Sequence, residues 1–106
     1  MEMYWVYMTT ENKSEARSIG RMLVESKLAA CVNIIDHMNS LYMWQDKLQD
    51  DLETVLIAKT SPQLVSKLID TVKELHSYEC PCILSWPVST GNPDFIKWIH
   101  AEVASE

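Results

Sequence analysis

The sequence predicts an α+β fold in which an antiparallel sheet is covered on one face by helices. Three observations carry that expectation. β-branched and aromatic runs alternate with amphipathic helical repeats along the whole chain. A very long hairpin occupies Ala29 to Thr60. Helix starts are signalled at Asn12, at Ser61-Pro62 and at Asn92-Pro93.

The elements follow in order. Met3-Tyr4-Trp5-Val6-Tyr7-Met8 is a continuous apolar run, as in a central strand, and Thr9-Thr10-Glu11-Asn12 ends it. Asn12 with Glu15 resembles a capping box, and Ala16, Ile19, Met22 and Leu23 repeat at helical spacing, giving a helix to about Lys27. Arg17, Arg21 and Glu25 take the solvated face. Ala29 to Ile35 then reads as a strand, broken at Asp36-His37-Met38-Asn39 and resumed to Trp44. The chain turns at Gln45-Asp46-Lys47 and returns as Leu48 to Lys59.

An unbroken arm from Ala30 to Trp44 would span about 50 Å at strand rise. A compact chain of this size has a radius of gyration near only about 13 Å. The arm must kink or overhang, with a bulge expected at Asp36–Asn39.

Ser61-Pro62 starts a second helix with an apolar stripe of Leu64, Val65, Leu68, Ile69, Val72 and Leu75, ending near His76. Cys80 to Val88 reads as a strand whose two prolines place it at a sheet edge. Phe95, Ile96, Ile99 and Val103 give a short last helix. The order βαββαβ with an extra C-terminal helix predicts a ferredoxin-like sandwich, one domain over residues 1–106.

Composition narrows the function. The net charge is −6 and the pI about 4.9, which repels phosphate backbones, so no nucleic-acid partner is expected. No apolar run is long enough to span a membrane, and the N-terminus lacks a basic segment followed by a long apolar run. Three cysteines without paired secretory spacing suggest reduced thiols and a cytoplasmic location. With only Gly20 and Gly91, a phosphate-binding glycine loop is excluded. The turn after the first strand carries neither an arginine nor a Cys-x-x-Cys pair, which weakens anion-binding and metal-transfer uses of the fold.

Several side chains remain as candidates. Cys80 and Cys82, two apart, present both thiols to one side of an extended segment, and thiolate suits soft metals. Either is equally at home as a small buried hydrophobe, as is Cys31. His76-Ser77-Tyr78-Glu79 gathers an imidazole, a phenol and a carboxylate behind a helix C-terminus, where a histidine also simply complements the helix dipole. Tyr42 and Trp44 share one face of the hairpin arm, and Glu53 and Lys59 share a face of the returning arm. No Ser-His-Asp order, catalytic carboxylate pair or cofactor fingerprint stands out, so no catalytic residue is assigned.

These segments resemble the CutA family of divalent-cation tolerance proteins. The resemblance lies in Leu28 to Ile35, Tyr42-x-Trp44, Glu53 with Lys59-Thr60, His76-x-Tyr78-Glu79-x-Pro81 and Gly91 to Asp94. Ser77 and Phe95 depart from the family's usual proline and tyrosine. The resemblance implies a homotrimer linked to tolerance of copper and other divalent ions, with copper binding and no established enzymatic activity. It implies metal ligation by Cys31 and His76, and a pocket between subunits using Tyr42, Trp44, Glu53, Lys59, Tyr78, Glu79 and Trp98. It says nothing of Cys80 and Cys82, which join Cys31 and His76 as candidate metal ligands on their chemistry alone. No cofactor is required; copper or another divalent or soft ion is the candidate. A small-metabolite signalling trimer, similar to nitrogen-regulatory proteins, is the alternative, and an enzyme using His76 and Glu79 the third.

Overall fold

The computed structural model describes residues 2–105; the ends of the expected domain, Met1 and Glu106, lie outside the described residues. The strands are β1 (Met3–Thr10), β2 (Cys31–Trp44), β3 (Lys47–Thr60) and β4 (Ile83–Val88). The helices are α1 (Lys13–Glu25), α2 (Val65–Leu75) and α3 (Pro93–Glu102). The sheet runs β2-β3-β1-β4 with every neighbouring pair antiparallel, the ferredoxin-like order.

Alternation along β1 divides the core. Val6 and Met8 face α1 and α2, where Ala16, Ile19, Leu23, Leu64, Leu68 and Val72 join Leu56 and Ala58 of β3 in one buried cluster. Met3 and Trp5 point to the other face, and α3 covers only that end, through Ile96 and Ile99 against Met3 and Ala30. Among the described residues no helix or strand covers the rest of this second face, and exposed Ile35, Leu84 and Trp86 lie on it. Gly20 lets α1 lie close on the sheet: a Cβ there would stand 3.0 Å from Val32 Cγ2 and 3.2 Å from Leu56 Cδ1.

The hairpin kinks where its sequence breaks. Ile35 pairs Val55 and Met38 pairs Glu53, so Asp36 and His37 bulge, with His37 at φ 61°. The Asp36 carboxylate pins the bulge, accepting from Thr54 Oγ1 at 2.7 Å and from the His37 amide at 2.9 Å. At the tip, Gln45 and Asp46 both take positive φ, the two-residue turn that matches strand twist. The arm overhangs: the body measures 45 × 25 × 21 Å, with a radius of gyration of 14.4 Å. Leu41, Met43, Leu48 and Leu52 on it are each at least 64 % exposed.

Three expectations change in detail. β4 begins at Ile83 rather than Cys80, because Pro81 has no N–H to give the ladder; only a long 3.4 Å bond from the Thr9 amide to the Cys82 carbonyl extends it. Ser61 makes no side-chain cap bond; Pro62–Leu64 forms a 3₁₀ turn, and α2 starts behind it. α1 stops at Glu25, two residues before Lys27, which reverses the chain at φ 64°. There the Leu28 amide donates to the Leu23 carbonyl at 2.9 Å, the closing bond of a Schellman turn.

Lysine in that left-handed position is strained, by about 1–2 kcal/mol for an L side chain. Lys27→Gly should therefore raise stability by up to about 1 kcal/mol after the entropy lost by glycine is subtracted. Urea midpoints measure it. An unchanged or lowered midpoint would show that the lysine stem makes contacts worth more than the strain.

Candidate functional site

The site is assembled around the loop that leaves α2. His76 turns extended at the helix end, and its amide still donates to the Val72 carbonyl at 2.9 Å. Its ring is spent on backbone. Nε2 lies 2.8 Å from the Thr9 carbonyl, to which it donates, and Nδ1 accepts from the Tyr78 amide at 3.0 Å. That arrangement fixes one neutral tautomer and leaves neither nitrogen free. The Ser77 amide donates to Glu15 Oε2 at 2.8 Å, while Glu15 Oε1 accepts from the Glu11 amide at 2.9 Å. Glu15 thus joins the start of α1 to the loop. Burial pushes its pKa up, but the hydrogen bonds from the Glu11 and Ser77 amides outweigh it and hold the carboxyl below its usual value.

The loop aims Tyr78 at Glu53. The phenol donates to Glu53 Oε2 at 2.8 Å, and Glu53 is only 8 % exposed. A buried carboxylate needs such a partner. Burial, then the bond to Glu53 and its charge, raise the Tyr78 pKa far above that of a free phenol, so it stays a donor. Cys82 is also raised, by burial and then by Glu53. Tyr7 is raised by burial, Cys82 and Glu53, and its hydroxyl reaches Met38 Sδ at 3.5 Å. Tyr42 donates to Asp51 Oδ2 at 2.8 Å, which raises its pKa.

Together Thr9, Tyr42, Trp44, Gln49, Glu53, Ser77, Tyr78, Glu79, Cys80 and Cys82 line an open cleft of about 530 Å³. That volume suits a small ligand. Its charged side chains, Glu53 and Glu79, are both acidic.

The remaining candidates lie elsewhere in the chain. Lys59 sits opposite both Cys31 and Trp5 in the sheet. Its Nζ stands 5.8 Å from the Trp5 ring and 5.6 Å from the Phe95 ring, a cation–π seat. Trp98 stacks on Phe95 at 5.8 Å, and Trp86 lies 6.0 Å from Trp5. Burial raises the Cys31 thiol despite Lys59 nearby. Cys31 and His76 do not meet in one chain: their places on β1, at Trp5 and Thr9, are about 13 Å apart. Among the described residues, no group of three or more His, Cys, Asp or Glu is arranged to hold a metal ion.

Thr9, Gln49 and the Trp5–Phe95 seat are absent from the reading of the sequence. Counting outward from the Gln45-Asp46 turn gives the Tyr42–Gln49 pair. Period-two alternation puts Trp5, Tyr7 and Thr9 on one face. Phe95 over Lys59 joins distant parts of the chain and leaves no local signal.

A four-stranded antiparallel sheet with two helices on one face and a third on the other, and a long overhanging hairpin, defines a ferredoxin-like α+β protein. Residues 4–102 match the family described as CutA1 divalent ion tolerance protein, and the chain belongs to that family. It is 44 % identical over 93 residues to the protein CutA homolog of Xenopus laevis, covering 88 % of this chain but 62 % of that one. To the divalent-cation tolerance protein CutA of Thermus thermophilus it is 39 % identical over 95 residues, 90 % of this chain and 92 % of that one. The crystal structure of CutA1 from Oryza sativa superimposes with a TM-score of 0.96 at 33 % identity, over 100 % of this chain and 97 % of the other.

Linkage gives a prediction for the Glu15 tie. Its pKa is lowered on folding, so its stabilisation is complete above the unfolded value, about 4.3, and is lost as pH falls through the folded value. Glu15→Gln should be less stable than the parent at pH 7, with the gap closing between about pH 5 and pH 3. Denaturant midpoints at each pH measure this. A gap of constant size would mean the carboxylate charge is not what holds the loop.

Proposed function

We propose that this chain acts as a homotrimer in divalent-ion tolerance, binding copper-type metal ions without catalysis and working in the cytosol. The observation that carries the assembly is the open second face of the sheet together with the overhanging hairpin. Ile35, Leu84 and Trp86 on the face, and Leu41, Met43, Leu48 and Leu52 on the arm, leave more apolar surface exposed than a lone subunit usually tolerates. The strands β2 and β4 offer two different edges, as a ring with three-fold symmetry requires.

The metal reading draws on the family and on the thiols. Of the four candidate ligands, His76 would have to release the Tyr78 amide or the Thr9 carbonyl before it bound an ion. Cys31, Cys80 and Cys82 are all free, which also suits a reducing compartment. The same engagement of His76 argues against an acid–base pair with Glu79. A small-metabolite reading has one observation in its favour, the volume and aromatic lining of the cleft. The acidic lining disfavours an anionic metabolite unless a second subunit brings Lys59 to it.

Light scattering at micromolar concentration should give the mass of a trimer; a stable monomer would overturn the proposal. Trp44 lies near the tip of the arm, still 45 % exposed. Trp44→Ala should make unfolding concentration-dependent, since losing an interface aromatic costs about 3–5 kcal/mol. A variant that remains trimeric with unchanged melting at low concentration would remove Trp44 from the interface.

A further inference from the structure

Glu53 carries a charge that the chain does not balance. It is only 8 % exposed, and its carboxylate is bonded through Oε2 alone, to the neutral Tyr78 hydroxyl. The ion pairs among the described residues are Arg21 with Glu25 and His37 with Asp36, and neither reaches it. Among the same residues no side-chain oxygen sealed from solvent lacks a partner, so Oε1, which accepts no bond, opens onto the cleft that Glu53 lines. A carboxylate buried in that state is stabilised by a cation brought from outside.

The walls around it select the kind of cation. Tyr42 and Tyr78 have committed their hydroxyls, to Asp51 at 2.8 Å and to Glu53 at 2.8 Å, so ring surface is what they offer a ligand. The His76 ring stands 4.8 Å from that of Tyr78 and takes one side of it, which leaves the other for the cleft. Trp44 adds a third aromatic wall, and exposed Glu79 a second carboxylate. Tyr78 and Cys82 stay protonated beside Glu53, so neither changes the charge. These walls are held before any ligand arrives, Tyr78 through His76 and Ser77 and Tyr42 through Asp51, which lowers the ordering cost of binding.

Divalent ions ask for more than this. Zinc is held by a tetrahedral donor set and magnesium by an octahedral one. One open carboxylate oxygen among aromatic rings supplies neither, and no group of three or more His, Cys, Asp or Glu is arranged for it among the described residues. An organic ammonium needs less: one N–H for Oε1, and ring surface for its positive charge. The cleft, at about 530 Å³, also has room for an apolar body behind the ammonium group. We propose that this cleft binds a primary ammonium ion carrying an apolar or aromatic body, with Glu53 as its counter-ion and Tyr42, Trp44 and Tyr78 as its cage. The site lies within one chain and rests on neither the assembly nor metal binding.

Calorimetric titration of the full chain at pH 7 tests it, with benzylamine, which is protonated there, against benzyl alcohol and benzoate. The three share a ring and differ in charge. Benzylamine should bind once per chain and at least about 10-fold more tightly than the alcohol, as a charge-assisted bond to a buried carboxylate requires. Benzoate should not bind. Glu53→Gln keeps an acceptor for Tyr78 and removes the charge, so benzylamine should fall to the affinity of the alcohol. The comparison on the parent stands even where that variant folds poorly. Saturating benzylamine should slow alkylation of Cys80 and Cys82 by iodoacetamide and leave Cys31, outside the cleft, unchanged. A parent that binds the alcohol as well as the amine would overturn the proposal and show Glu53 already balanced, for instance by a lysine of a second copy. So would a Glu53→Gln chain that keeps the preference, protection of Cys31 in place of the cleft thiols, or release of the amine by one equivalent of Zn(II). Light scattering on the same samples reports the assembly separately: a monomer that still prefers the amine would keep this site and remove the trimer.

Discussion

The sheet is built on a mismatch of strand lengths. β3 has 14 residues and β1 has eight, so β1 can pair only Thr54 to Thr60 of β3. From Glu53 outward, β3 has β2 alone for a partner. A two-stranded ribbon is marginal by itself in water. The ribbon here nevertheless carries exposed leucines and a methionine on its flanks. Its own hydrogen bonds leave that surface uncovered, which is what supports the assembly proposed above.

The inner wall of the cleft begins where this mismatch begins, and Tyr42, Trp44 and Gln49 join it from the arm. Glu53, paired with Met38, is the first residue of β3 beyond the reach of β1, and the bulge at Asp36 and His37 lies next to it, across from Thr54. The bulge turns the arm while Asp36 holds Thr54. Tyr78 then covers the carboxylate that the end of β1 leaves open. His76 and Glu15 position Tyr78 through backbone bonds, so their role in one chain is to hold the wall of the cleft. An imidazole with both nitrogens engaged and a carboxylate between two amides are rigid supports.

The sequence made the architecture readable because each element carries its own local signal. The Asn12 cap and the interrupted hairpin appear where residue pattern places them, the proline-bearing strand lies at the sheet edge, and the bulge falls inside the predicted break. The start of β4 was misjudged since composition around Cys80 favours a strand while Pro81 denies it a donor. The site was less legible. Tyr42, Trp44, Glu53, Tyr78, Glu79, Cys80 and Cys82 share one cleft, but Cys31, Lys59 and Trp98 gather at the far end of the sheet face. Residue type marked both groups as chemically capable. Only the register of β3 against β1 shows that they are two groups.

That separation constrains any function using both. Glu53 and Lys59 share a face of β3 but stand six residues apart, about 20 Å along the strand. No side chain bridges that distance, so the acidic cleft and the cationic seat act on one ligand only where two copies bring opposite ends together. In the trimer proposed above, a head-to-tail contact would present the Glu53 end of one copy to the Lys59 end of the next. A symmetric face-to-face dimer also pairs the ends, but it closes after two copies and leaves the two free edges, β2 and β4, unused. The trimer proposed above, with different edges meeting around a three-fold axis, would join the two groups of side chains that the strand lengths keep apart.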